Sequence, residues 1–190
     1  MEYFCEQDFE NKDFSALKLK KGEYEACRFL NCNFQDLHLS GYLFTECEFI
    51  ECKLSNLRWK ETKVQNTLFR NCKLVGLPFG ELSRFNLSFK LDSCHLLSST
   101  FIGLDLKSCQ FTDSLFRESD FSNCNLKGLK LADNNFSGSR FEDCDLRQTN
   151  WDGSTNISLD PRENQMKGAQ FNPQSLAGIV ASFGIKTIAQ

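Results

Sequence analysis

Ten cysteines are the residues of this 190-residue chain best suited to chemistry. Pairs such as Cys27/Cys32 and Cys47/Cys52 leave four-residue gaps, at the edge of the spacings that bring two thiolates to one zinc ion. A structural zinc site needs four converging ligands, and the positions equivalent to these cysteines elsewhere in the chain hold Ser, Thr and Leu. A metal is therefore not expected, and no cofactor is implied. His38 and His95 are the only histidines and lie far apart, which argues against a catalytic triad. No phosphate-cradling glycine loop or dinucleotide fingerprint occurs. Cys5 has no nearby histidine or basic residue to activate its thiol. Without a catalytic constellation, the chain is expected to bind rather than to catalyse, and not to be an enzyme.

The cysteine spacing has a simpler explanation, a period of five. Stepping by five from Phe4 gives Phe9, Phe14, Leu19, Tyr24, Phe29 and so on, unbroken to Phe79, and every residue is large and apolar. A second run steps from Leu91 through Phe101, Phe111 and Phe121 to Trp151, again without a miss. Fifteen of the nineteen Phe occupy this central phase. Nine of the ten Cys sit two positions before a centre: Cys27, Cys32, Cys47, Cys52, Cys72, Cys94, Cys109, Cys124 and Cys144.

Charge tests the phase independently. Residues 1–79 hold 23 charged side chains, and only Glu2 and Lys12 fall in one of the two inward phases. Residues 91–152 hold 16, none of them inward. Desolvating an unpaired charge is costly, so the charges mark the outside.

A straight α-helix would carry the centres around every side, and a flat strand would alternate them between two faces. Residues two apart do share one side of an extended backbone. The chain must therefore coil, with short extended segments joined by corners. Leu recurs in the smaller inward position at Leu17, Leu37, Leu57 and Leu77, a superperiod of twenty that predicts four sides per coil. The fold class is an all-β solenoid in which each coil touches only its neighbours.

Ser119-Asp120-Phe121-Ser122-Asn123, Cys124-Asn125-Leu126-Lys127-Gly128 and Cys144-Asp145-Leu146-Arg147-Gln148 are similar to the A(D/N)LXX motif of pentapeptide-repeat proteins. The Cys-rich variant resembles the Qnr/MfpA/McbG-like branch of quinolone-resistance and microcin-immunity proteins. The resemblance implies a right-handed quadrilateral β-helix of pentapeptide repeats over residues 1–171, with a short C-terminal α-helix. It also implies a function: binding a type II topoisomerase, DNA gyrase or topoisomerase IV, and protecting it from a quinolone or a peptide toxin through DNA-like shape and charge. A generic interaction scaffold with an unrelated partner is the alternative.

Phe79 to Leu91 is twelve residues, which shifts the frame by two. Alternating Phe85, Leu87 and Phe89 suggest extended structure with a bulge or loop over residues 80–90. That segment is either a tolerated insertion or a recognition loop, with Glu81, Ser83, Arg84, Asn86 and Ser88 as its candidate contacts. After Trp151 the repeat decays, and an imperfect last coil is expected over 152–171.

The tail, 172–190, changes period. Asn172 suits an N-cap and Pro173 the first helical position. Leu176, Ile179, Val180 and Phe183 follow at amphipathic helical spacing, Gly184 can end the helix, and Ile185 and Ile188 come after. This element is expected to cap the core. By resemblance it also forms a homodimer seam of Leu176, Ile179, Val180, Phe183 and Ile185.

The net charge is −3, and residues 81–155 hold eleven acids against eight bases. Their outward carboxylates, Asp105, Asp113, Glu118, Asp120, Asp133, Glu142, Asp143, Asp145 and Asp152, form the candidate partner surface, although Lys107, Arg117, Lys127, Lys130, Arg140 and Arg147 are interspersed. No basic footprint for direct nucleic-acid contact and no membrane-length apolar run is present. Free thiols and a start without signal-peptide layout lead to a cytoplasmic expectation.

Overall fold

Most repeats turn a corner because the residue two past the centre adopts a left-handed backbone. The φ angle is 51° at Glu6, 50° at Asn31, 58° at Asp36 and 55° at Asn56. Asn, Asp and Gly enter that region at the least cost, and they recur at these corners. Between corners the backbone is extended, so the centre and the residue two before it both point inward.

The computed structural model describes residues 1–186. It is a right-handed quadrilateral β-helix with parallel sheets running along its sides. Face one carries the strands Glu2–Cys5, Gly22–Glu25, Leu43–Thr45 and Lys63–Gln65. Face two carries six strands, from Asp8–Glu10 to Gln110–Thr112. Face three carries Lys73–Val75, His95–Leu97 and Leu115–Arg117. Face four is held by isolated parallel bridges, among them His38 to Arg58 and Thr100 to Asp120. Partners lie twenty residues apart, as in the ladder Phe9, Phe29, Phe49 and Phe69.

Every centre from Phe14 to Phe79 and from Leu91 to Trp151 is buried, while Phe4 and Phe9 in the first coil are partly so. Like centres stack. On face two the ring centroids of Phe9, Phe29, Phe49 and Phe69 are separated by 4.8, 4.7 and 5.0 Å. On face four Phe79, Phe101, Phe121 and Phe141 are separated by 4.4, 4.6 and 5.0 Å. Burying each such side chain stabilises by roughly 1.5–3 kcal/mol.

The structure departs from the sequence expectations in four places. Leu17 is exposed, because Asp13 caps a single helical turn, Phe14–Leu17, that swings it out of the inward line. The frame break is shorter than 80–90. Phe79–Glu81 forms a 3₁₀ turn that keeps its pairing, and Phe89–Asp92 is already a strand. The two extra residues are absorbed between Ser83 and Ser88 on face one, after which partners stand 22 apart for one coil: Thr67 to Phe89, Leu74 to Leu96 and Pro78 to Thr100. Leu82 and Leu87 turn into the core, whereas Phe85 between them is 65% exposed, so the three residues 85, 87 and 89 do not share a side. In the imperfect last coil, Asn156 and Pro161 leave the central line, and Ile157 and Leu159 fill the core instead.

The fourth departure is the tail. The helix begins at Leu176 rather than beside Asn172, and spans Leu176–Val180 before a 3₁₀ turn, Ala181–Phe183. Asn172 Oδ1 nonetheless accepts from the backbone N–H of Ser175, the capping bond expected of it with Pro173 next in the chain, and also from the Ser175 hydroxyl. Gly184, with φ 74°, ends the element as expected. Ile188 lies outside the described residues.

Candidate interaction surfaces

The residues that looked chemically able are placed where chemistry is suppressed. All ten cysteines are free, and nine are buried, with only Cys5 exposed. Burial pushes the thiols of Cys47, Cys109 and Cys124 up to about 12 and that of Cys144 up to about 11. Each stays protonated at neutral pH and acts as a small core residue with a weak donor. His38 and His95 are exposed on different sides of the rod. Among the described residues, no group of three or more His, Cys, Asp or Glu could hold a metal ion. No helix among them is long and apolar enough to cross a membrane.

What remains is the outer surface. The register spreads the nine candidate acids over three sides and the corners between them. Asp105 and Asp145 lie on face one, held by Lys107 at 3.1 Å and Arg147 at 2.6 Å. The Arg147 guanidinium keeps the Asp145 carboxyl below the usual carboxylate range. Asp152 is on face two, and Asp113 and Asp133 share the corner that follows it. Glu118 sits at the next corner, 3.6 Å from Arg117.

Asp120 and Glu142 lie on face four, with Asp143 at the corner that follows it. There Asp120 is oriented by the N–H and hydroxyl of Ser122, at 2.8 and 2.6 Å, and Glu142 pairs with Arg140. Asp160 and Glu163 extend this cluster through the last coil, where the decayed repeat gave the sequence no phase by which to place them. Arg162 grips Asp160 with two prongs and lowers its carboxyl pKa. The other end of face four is basic, with Lys18, Lys20, Lys21, Arg58 and Lys60.

In the loop, Glu81, Arg84 and Asn86 are exposed, while Ser83 and Ser88 are half-buried. The Ser88 hydroxyl accepts from the backbone N–H of Asn66 at 2.9 Å, which ties the loop to the coil before it. The residue that the sequence missed is Phe85. Lys63 Nζ stands 5.8 Å from its ring centroid. The extra two residues were the available signal, since a bulge must throw at least one side chain outward.

In the tail, Leu176, Phe183 and Ile185 are 44, 49 and 55% exposed, and Val180 is half-buried. Ile179 is buried against the last coil, so it caps the core and is withdrawn from any seam. Arg162 lies 4.9 Å from the Phe183 ring centroid and donates to the Ser182 carbonyl at 3.1 Å, clasping the helix to the coil. Leu176, Phe183 and Ile185 are the exposed apolar side chains of the described tail.

A five-residue repeat wound into a four-sided parallel coil is the architecture of a pentapeptide-repeat β-helix. Residues 94–178 match the family model described as pentapeptide repeat region, and residues 3–79 match that of the SV2A/B/C luminal domain. No curated protein matches. Among solved structures, a trypsin-treated form of QnrB1, described as a plasmid-mediated fluoroquinolone resistance protein, is 17% identical. It superposes with a TM-score of 0.63 over 98% of this chain and 100% of that one. A second trypsin-treated QnrB1 is 14% identical, with a TM-score of 0.51 over 97% and 99% of the two chains. Identity at this level establishes the common fold.

Proposed function

We propose that this protein binds a type II topoisomerase, DNA gyrase or topoisomerase IV, in the cytoplasm and protects it from a quinolone or a peptide toxin. The observation that carries this reading is the end-to-end likeness to QnrB1, a fluoroquinolone resistance protein, over 98% of the chain. The rod offers a long surface, suited to occupying the place of a duplex. Face four supplies negative charge through Asp120, Asp143 and Glu163, with Glu142 and Asp160 paired to Arg140 and Arg162. The tail patch of Leu176, Val180, Phe183 and Ile185 joins two rods about a two-fold axis, doubling the length of that surface.

One observation favours the alternative, a scaffold with an unrelated partner. Several of the nine acids are already neutralised by bases of the same coil, as in Asp105–Lys107 and Asp145–Arg147. The field they present is therefore weaker than that of a phosphate backbone.

A gyrase supercoiling assay with a quinolone separates the two. Restored supercoiling on adding the protein supports protection. The absence of both rescue and binding with gyrase and with topoisomerase IV rejects it in favour of the scaffold. For the seam, Phe183→Asp is expected to convert dimers to monomers at high salt, and a wild-type monomer there rejects the tail as an interface.

A further inference from the structure

Face one is segregated in charge along the rod, as face four is in the opposite sense, and it also carries the loop. By register it is built from residues 2–6, 22–26, 42–46, 62–66, the loop 83–88, and then 104–108, 124–128, 144–148 and 164–168. The first three of these coils carry Glu2, Glu6, Glu23, Glu25 and Glu46 and no cation. The last four line up Lys107, Lys127, Arg147 and Lys167 in a single column, each twenty residues after the last. Asp105 and Asp145 of that half hold Lys107 and Arg147 within their own coils, so Lys127 and Lys167 are the cations of the column with no ion-pair partner among the described residues. The loop falls midway along the face, four coils from either end. It presents Phe85, 65% exposed, between Lys63 and Arg84.

We propose that face one docks against face one of a second copy of this chain, antiparallel, about a two-fold axis through Phe85. A two-fold axis at that point exchanges the first coil with the ninth and the third with the seventh. Glu6 then meets Lys167 of the other copy and Glu46 meets Lys127, while Glu2 stays with Lys20 of its own chain and Arg147, opposite Glu25, with Asp145. The whole set repeats on the other side of the axis. The two Phe85 side chains meet at the centre, where an aromatic anchor is most effective, and the charges form the surrounding rim. A parallel arrangement of the same two faces would set carboxylates against carboxylates and cations against cations. The charge order therefore selects the antiparallel pair.

The interface is modest. At about 4.8 Å per coil and about 3.3 Å per residue, the face measures roughly 38 by 16 Å. That is about 600 Å² per partner, below the ~800 Å² of a standard interface. With charges as its rim, this association is strongly salt-dependent. The screening length falls from about 10 Å at 0.1 M salt to about 3 Å at 1 M.

Sedimentation of the full chain tests this in a Phe183→Asp background, which removes the tail patch. Dimers are expected in dilute buffer and monomers in about 1 M salt, the dissociation constant rising more than ten-fold. Lys127→Glu is expected to weaken the low-salt dimer at least ten-fold, and adding Glu46→Lys in the same chain to restore it. Within one chain these positions are four coils apart, about 19 Å, too far to form an internal pair. Phe85→Asp is expected to give monomers with an unchanged circular dichroism spectrum. Monomers of the Phe183→Asp chain in dilute buffer overturn the proposal. So does a Glu46→Lys, Lys127→Glu chain that stays folded and monomeric, or a Phe85→Asp chain that still dimerises.

Discussion

The thiol of Cys47 donates a hydrogen bond to the carbonyl oxygen of Tyr24, 3.3 Å away and 23 residues earlier in the chain. The same bond joins Cys52 to Phe29, Cys72 to Phe49, Cys124 to Phe101 and Cys144 to Phe121. Thr67 and Ser139 make it to Phe44 and Phe116 with hydroxyls. Where the loop intervenes the interval becomes 25, from Cys94 to Phe69 and from Ser99 to Leu74. The smaller inward side chain thus fills space in its own coil and ties that coil to a central carbonyl of the one before. This accounts for the exchange of Cys with Ser and Thr at these positions.

Cys47→Ser and Cys47→Val separate the two roles. Serine keeps the donor and loses some volume, whereas valine fills the space and removes the bond. Valine is expected to cost about 1 kcal/mol more than serine in denaturant unfolding, the net worth of an ordinary hydrogen bond. Equal stability would mean that packing alone selects cysteine here.

Alkaline pH should loosen the rod. In the unfolded chain each thiol loses its proton near pH 8.5, whereas Cys47, Cys109 and Cys124 hold theirs to about 12. Between those values the unfolded state binds fewer protons, so stability falls as pH rises, by up to about 1.4 kcal/mol per pH unit for each such thiol. Below pH 8.5 the contribution is fully present. Thermal midpoints are expected to be level from pH 7 to 8.5 and to drop above 9. In native buffer a thiol reagent should titrate Cys5 alone, and all ten cysteines after denaturation.

The solenoid was legible because two unrelated classes of residue, apolar centres and excluded charges, agree on one phase from Phe14 to Phe79 and on the same phase shifted by two from Leu91 to Trp151. The two-residue shift was legible as arithmetic, but its location was not. Phe85, Leu87 and Phe89 alternate like a strand, and only the need of the core for Leu82 and Leu87 decides that Phe85 is expelled. Leu17 was misplaced because Asp13 can cap a helical turn as readily as it can flank a strand, a choice made by local hydrogen bonds rather than by period. The grouping of Asp120, Glu142 and Asp143 with Asp160 and Glu163 needed coordinates, since Pro161 breaks the phase from which a face could be assigned.

Phe121 shows what one centre contributes. Its ring is stacked between Phe101 and Phe141 at 4.6 and 5.0 Å, with Phe116 edge-on at 5.5 Å. Phe121→Ala is expected to cost about 3–5 kcal/mol. Because each coil contacts only its neighbours, hydrogen exchange should quicken in the flanking coils and leave the first coils protected. A uniform loss of protection would show that the rod unfolds as one unit.

Gly178 gives the sharpest test of the cap. A Cβ at that position would stand 1.8 Å from the carbonyl oxygen of Ile157, so the helix lies on the last coil only because no side chain intervenes. Gly178→Ala must lift the helix, drawing Ile179 out of the core and breaking the clasp that Arg162 makes with Ser182 and Phe183. In a free helix the same change favours helix by about 1 kcal/mol. A loss of stability would therefore report the contact rather than the propensity. Unfolding should shift to lower denaturant, and proteolysis should begin between Ser158 and Gly184. A variant as stable as the parent would mean that the tail does not rest on the coil in solution.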